Sequence, residues 1–123
     1  MNIKNFSTGI DIEKIERFEK YSVDKNSPFV QRIFTEKEIE YCFAFRKPAE
    51  HLAVRFSAKE AVFKALSALN INGVNYSDIE ILKEENGAPL VRILNGKYDN
   101  LAIRLSLAHG NGNSVASVFI VEM

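Results

Sequence analysis

The sequence predicts an α+β fold in which helices pack on a mostly antiparallel sheet. Three observations carry this. The run from Ala49 to Asn70 contains no Gly or Pro, and Leu52, Phe56, Val62, Phe63, Leu66 and Leu69 recur in it at roughly helical spacing. Leu101, Ile103, Leu105 and Leu107 alternate with Ala102, Arg104, Ser106 and Ala108, the period of a half-buried strand. The elements also come in the order strand, helices, strands, not in the strand–helix alternation of a parallel sheet.

Taken in order, residues 3 to 11 read as a strand ending in Gly9-Ile10-Asp11. A short helix is expected next, with Ile12, Ile15 and Phe18 inward and Glu13, Lys14, Glu16 and Arg17 outward. The polar stretch from Ser22 to Pro28 reads as a loop, and residues 28 to 34 as a short helical segment. Thr35, with Glu38 three residues on, matches a capping box and opens a helix running to about Arg46, where Pro48 stops it. The long helix follows, from about Ala49 to Leu69. Asn72-Gly73 begins a loop. Strands are predicted from Asp78 to Glu84 and from Pro89 to Leu94, joined through Glu85-Asn86-Gly87-Ala88. The strand from Leu101, the turn Gly110-Asn111-Gly112-Asn113 and a closing strand from Ser114 to Val121 complete the chain.

At 123 residues the chain is read as one domain, 1–123, long enough for a genuine core. Apolar residues make up 46% and charged residues 26%, an ordinary soluble composition. Sixteen basic and sixteen acidic side chains cancel, so nothing global favours nucleic acid or a membrane surface, and a charged partner must meet a local patch. The basic residues are concentrated early: Arg17, Lys20, Lys25, Arg32, Arg46, Lys47, Arg55 and Lys64 all precede residue 65. Cys42 is the single cysteine and flanks aromatic residues, which reads as a buried structural thiol. Without an apolar leader or a membrane-length apolar run, the expected location is cytoplasmic.

The chemistry gathers around two short motifs. Glu60 and Lys64 are one turn apart on the long helix and share a face, with Arg55 roughly a quarter-turn further round. Alone they read first as a surface ion pair. Asp11, where the first strand is expected to end, is either a helix cap or a ligand. If Asp11 met Glu60, the two carboxylates would repel unless a proton or cation lay between them. Two oxygen ligands suit magnesium, whose shell substrate phosphates can complete. Zinc suits the chain poorly, since Cys42, His51 and His109 have no ligand spacing. With Lys64, Arg55 and Arg46 added, the set describes a site for a magnesium-bound polyphosphate ester.

The residues Gly9-Ile10-Asp11-Ile12 with Ile15, Arg17 and Phe18, Arg32-Ile33-Phe34-Thr35 with Glu38 and Ile39, and Arg55-Phe56-Ser57-Ala58-Lys59-Glu60-Ala61 with Lys64-Ala65 together resemble the holo-(acyl-carrier-protein) synthases of the 4'-phosphopantetheinyl transferase superfamily. Asn86-Gly87-Ala88-Pro89 and Ser106-Leu107-Ala108-His109 resemble that family's later motifs, so the likeness covers nearly the whole chain. The resemblance implies a 4'-phosphopantetheinyl transferase-like fold and transfer of phosphopantetheine from coenzyme A to a serine of an apo acyl carrier protein, releasing 3',5'-ADP. It implies magnesium held by Asp11 and Glu60, with Glu60 as candidate general base and Lys64 neutralising phosphate charge. Arg46, Arg55 and His109 match positions near the phosphates, and Asn86 and Gly87 the adenine pocket. It further implies a homotrimer with sites between protomers, and an acidic carrier-protein helix met by Arg17 and, more weakly, by Lys25 and Arg32. The chain departs from the family pattern after Lys64, where Leu66-Ser67-Ala68-Leu69-Asn70 replaces a glycine-rich turn, at Gly110, and at the short segment from Asn95 to Asn100. Those departures keep a second reading open, a non-catalytic trimer that binds coenzyme A or a carrier protein. A plain structural oligomer, in which the charged pairs are only surface bridges, is the third; His109 alone reads equally as a solvated or structurally bonded histidine at a strand end.

Overall fold

The computed structural model describes residues 2–123. Its elements are strand β1 (Asn5–Lys14), a 3-10 turn (Ile15–Tyr21), helices α1 (Pro28–Ile33), α2 (Glu36–Phe43) and α3 (Pro48–Ala68), a second 3-10 turn (Tyr76–Asp78), and strands β2 (Ile79–Lys83), β3 (Pro89–Ile93), β4 (Leu101–Gly110) and β5 (Asn113–Glu122). Strands β1, β5 and β4 form one antiparallel sheet in that order, and β2 and β3 a separate hairpin. The α+β expectation holds, with the strands divided between two sheets.

Helix α3 is the centre of the molecule because it is apolar almost all the way round, the pattern of a helix covered on both sides. One side carries Ala58, Ala61, Val62, Ala65 and Leu66 onto Ala116, Val118 and Ile120 of β5 and Ile79 and Ile81 of β2. The other side carries Leu52, Ala53 and Phe56 onto Phe18, Val30, Ile33, Phe34, Ile39 and Cys42. Small residues let the helix lie close on β1. Ser7 Oγ donates to the Ala65 carbonyl at 2.7 Å, and a Cβ added at Gly9 would stand 2.0 Å from the Ala61 carbonyl oxygen.

Both ends of the predicted helices are explained locally. The Thr35 capping box is present, with Thr35 N donating to Glu38 Oε1 and Glu38 N to Thr35 Oγ1. Pro48 stands at the first turn of α3, where its missing N–H costs nothing. The helix continues a full turn beyond Lys64. It closes with Asn70 in the left-handed region (φ 60°) and Ile71 N donating to the Leu66 carbonyl at 2.9 Å. Asn70 thus does the work that glycine commonly does after a helix.

Two expectations are corrected. Strand β1 runs on to Lys14, because residues through Lys14 stay paired with β5, Asp11 opposite Ala116 and Glu13 opposite Ser114. Asp11 is therefore inside a strand and caps nothing. Period-two alternation then sends Ile12 outward, 63% exposed, and turns Glu13 to the same face as Asp11. Cys42 is buried as expected, and burial pushes its thiol up to about 12, which leaves it inert. No helix among the described residues is long and apolar enough to cross a membrane.

A buried ion pair ties these parts together. Lys59, fully buried, meets Glu38 Oε1 at 2.7 Å and donates to the backbone carbonyls of Tyr76, at 2.8 Å, and Ile79. Glu38 Oε2 accepts from Ile81 N at 2.9 Å, so α2, α3 and the start of β2 share one network. Lys59 neighbours Glu60 in sequence, yet its side chain leaves α3 about 100° away and serves the core.

Candidate active site

Asp11 is brought to the helix motif from 49 residues away, because Gly9 lets β1 lie against α3. Lys64 Nζ sits 3.1 Å from Asp11 Oδ1 and donates to the Ile10 carbonyl at 3.0 Å. Asp11 Oδ2 is buried and accepts no hydrogen bond. Glu13, two residues further along the strand, stands beside it. The Glu13 carboxyl is pushed up to about 7, first by burial, then by Asp11 and, more weakly, by Glu60, against the pull of Arg17. Glu13 thus feels both Asp11 and Glu60, and the Tyr76 phenol feels all three. Glu13 was missed on sequence; extending the strand by one pleat would have found it.

The Glu60 carboxylate is held from a further element. Tyr76, in the second 3-10 turn, donates its hydroxyl to Glu60 Oε1. Burial and the Glu60 carboxylate raise the phenol above its ordinary value, so it stays a donor across the working pH range. No signal in the sequence marks Tyr76 as a site residue.

Arg17 is shared between the site and the surface. Its guanidinium lies 2.5 Å from Glu13 Oε1 and over the rings of Phe18 and Phe56. Lys25 lines a groove beside α1 and α2, and Arg32 a cleft beside Tyr76.

A second cluster forms where α3 meets β2 and β4. Arg55, His109, Gly87, Tyr41, His51 and Lys83 line a cavity of about 250 Å³. Arg55 is 5% exposed, lies 4.1 Å from the centre of the Tyr41 ring, and keeps its Nε without a partner. His109 Nδ1 is 3.3 Å from Glu50 Oε1. His51 stacks on Phe45 at 3.7 Å, and burial, helped by Arg55, lowers its imidazole below the ordinary value. Asn86 spends its side chain on the hairpin turn, accepting from Ala88 N at 2.9 Å, and Arg46 lies exposed between α2 and α3. Neither lines the cavity.

The donor set of the first cluster is all oxygen and suits a hard cation such as magnesium. The unpartnered, buried Asp11 Oδ2 is a lone acceptor aimed into a group of carboxylates. Among the described residues no three His, Cys, Asp or Glu side chains enclose an ion by themselves.

Glu13 makes folding stability pH-dependent. Its carboxyl keeps a proton up to about 7 in the folded chain, against 4.5 ordinarily. Between those values the unfolded chain has released a proton that the folded chain retains, so stability falls as pH rises. Glu13→Gln removes this loss. In metal-free buffer its urea midpoint is expected to match wild type below pH 4.5 and to exceed it above pH 7. An equal difference at both ends would contradict the carboxylate crowding.

The model of the 4'-phosphopantetheinyl transferase superfamily matches residues 7–118. The chain is 37% identical to a holo-(acyl-carrier-protein) synthase of Geotalea daltonii, over 95% of this chain and 98% of the relative. It is 45% identical to one of Thermoanaerobacter sp. strain X514, over 82% of this chain and 76% of the relative. The holo-(acyl-carrier-protein) synthase of Bacillus anthracis, solved in complex with CoA (3',5'-ADP), is 30% identical and superposes with a TM-score of 0.77, covering 95% of this chain and 96% of that one. The chain belongs to the 4'-phosphopantetheinyl transferase superfamily. Within it, the relatives that it matches over most of their length are holo-(acyl-carrier-protein) synthases.

Proposed function

We infer that this chain, as one transferase domain spanning residues 1–123, moves 4'-phosphopantetheine from coenzyme A to a serine hydroxyl of an apo acyl carrier protein, in the cytoplasm. The observation that carries the reading is the meeting of β1 and α3, which sets Asp11 and Lys64 3.1 Å apart with Glu60 alongside. The carrier serine oxygen attacks the phosphorus that bears pantetheine, and 3',5'-ADP leaves. Glu60 accepts the serine proton. Lys64, half exposed and anchored on Asp11, turns its ammonium toward charge on the transferred and leaving phosphates. Magnesium, held by Asp11 and Glu60, supplies further neutralisation of the pyrophosphate when bound.

The second cluster suits the nucleotide end of coenzyme A. Arg55 offers an unpartnered buried Nε beside His109 and Gly87. This cavity shares no lining residue with the carboxylate cluster, which supports a site completed between protomers. The outer face of the large sheet supports the homotrimer. There Phe6, Ile10, Ile12 and Phe119 stand 60%, 64%, 63% and 43% exposed, and the Phe6 and Phe119 rings lie 6.0 Å apart. Arg17, with Lys25 and Arg32, is assigned to the acidic helix of the carrier protein, and Arg46 and Asn86 to the nucleotide across the protomer boundary.

The test is product analysis. Incubation with coenzyme A, magnesium and an apo carrier protein is expected to yield 3',5'-ADP. No 3',5'-ADP from any of a broad panel of carrier proteins, with coenzyme A still bound, would favour a binding module instead.

A further inference from the structure

The position of Glu60 is set by a residue outside both motifs. Phe56, Glu60 and Phe63 recur at spacings of four and three and therefore share one face of α3. The Tyr76 ring lies along that face, 6.0 Å from Phe56 and 5.6 Å from Phe63, centre to centre. Between those two contacts its hydroxyl reaches Glu60 Oε1. The backbone of Tyr76 is pinned as well. Its carbonyl accepts from the buried Lys59 ammonium, which Glu38 holds in turn. The turn that carries it is closed by Asn75 N donating to Asp78 Oδ2 at 2.9 Å. A phenol fixed at ring and backbone is a rigid donor, and Glu60 has no other protein donor among the described residues.

From this geometry we propose that Tyr76 is a positioning residue for the transfer reaction. Its hydroxyl locks one oxygen of the Glu60 carboxylate and leaves Oε2 as the oxygen that works on the substrate. The Lys59–Glu38 pair acts one step further back by holding Tyr76 in place. This inference rests on the transferase reading, in which Glu60 takes the serine proton.

Tyr76→Phe tests it, since the variant keeps both ring contacts and loses only the hydroxyl. Transfer to an apo carrier protein is expected to show kcat lowered about tenfold, the loss of one hydrogen bond to a charged group. The KM for coenzyme A should stay within about twofold, because that loss falls on the chemical step and not on uniform binding. Wild-type kcat, or a loss that falls on KM with kcat unchanged, would overturn the proposal, whatever the melting temperature did. Should wild type itself transfer nothing, the transferase reading fails and the contact is read by NMR. The Glu60 carboxyl carbon, assigned through Glu60→Gln, moves in Tyr76→Phe if the hydroxyl positions it. An unmoved resonance refutes the contact.

Discussion

Glu60→Gln is expected to lower transfer by about a thousandfold, the scale on which a general base contributes, while the protein folds normally. The two side chains have nearly the same shape, and the Tyr76 hydroxyl can donate to the amide oxygen as it does to Glu60 Oε1. On the proposed mechanism the variant loses the group that accepts the serine proton. The folded state has no reason to suffer, because the substitution removes a negative charge that opposes ionisation of the crowded Glu13. Activity should therefore collapse with an unchanged or slightly raised melting temperature. A variant that retains a tenth of wild-type turnover would show that another group takes the proton.

Gly9→Ala is expected to damage stability and activity together. The added Cβ would stand 2.0 Å from the Ala61 carbonyl oxygen and 3.0 Å from Ala61 C and Ala65 N, all backbone atoms. No rotamer change can relieve backbone against backbone, so β1 and α3 must part. Overpacking of this kind costs about 3 kcal/mol or more, a fall in melting temperature on the order of 10 °C. The same parting carries Asp11 away from Lys64, whose ammonium now bridges strand and helix at 3.1 Å. The surviving folded fraction should therefore be slow as well as scarce. Thermal melts and turnover per folded molecule separate the two effects, and a Gly9→Ala variant as stable as wild type would contradict the close strand–helix contact.

Much of this was legible in the chain. The long helix announced itself through its uninterrupted run and its apolar spacing, and α3 spans Pro48–Ala68. The Thr35 box marked the start of α2 correctly, since capping is a local interaction between residues three apart. The last two strands were readable from their alternation. Misplacing the end of β1 had the larger consequence. Asp11 in front of an amphipathic-looking stretch reads as a cap or a ligand, but pairing with β5, Lys14 opposite the distant Asn113, extends the strand to Lys14. That one shift turns Ile12 out and Glu13 in. Tyr76 and the Lys59–Glu38 pair were invisible for a related reason. Their partners lie 16 and 21 residues off, and no spacing rule relates a phenol in a turn to an acid on a helix. The cavity between α3, β2 and β4 was half readable. His109, Arg55 and Gly87 come together, whereas Asn86 and Arg46 stay outside its lining within one chain.

The most direct measurement is the intact mass of an apo carrier protein after incubation with this chain, coenzyme A and magnesium. Catalysis by the carboxylates that β1 and α3 bring together predicts a gain of one phosphopantetheine on the carrier serine, lost on chelation of the metal and lost with Glu60→Gln. An unmodified carrier protein, or a gain that persists undiminished in Glu60→Gln, would contradict it.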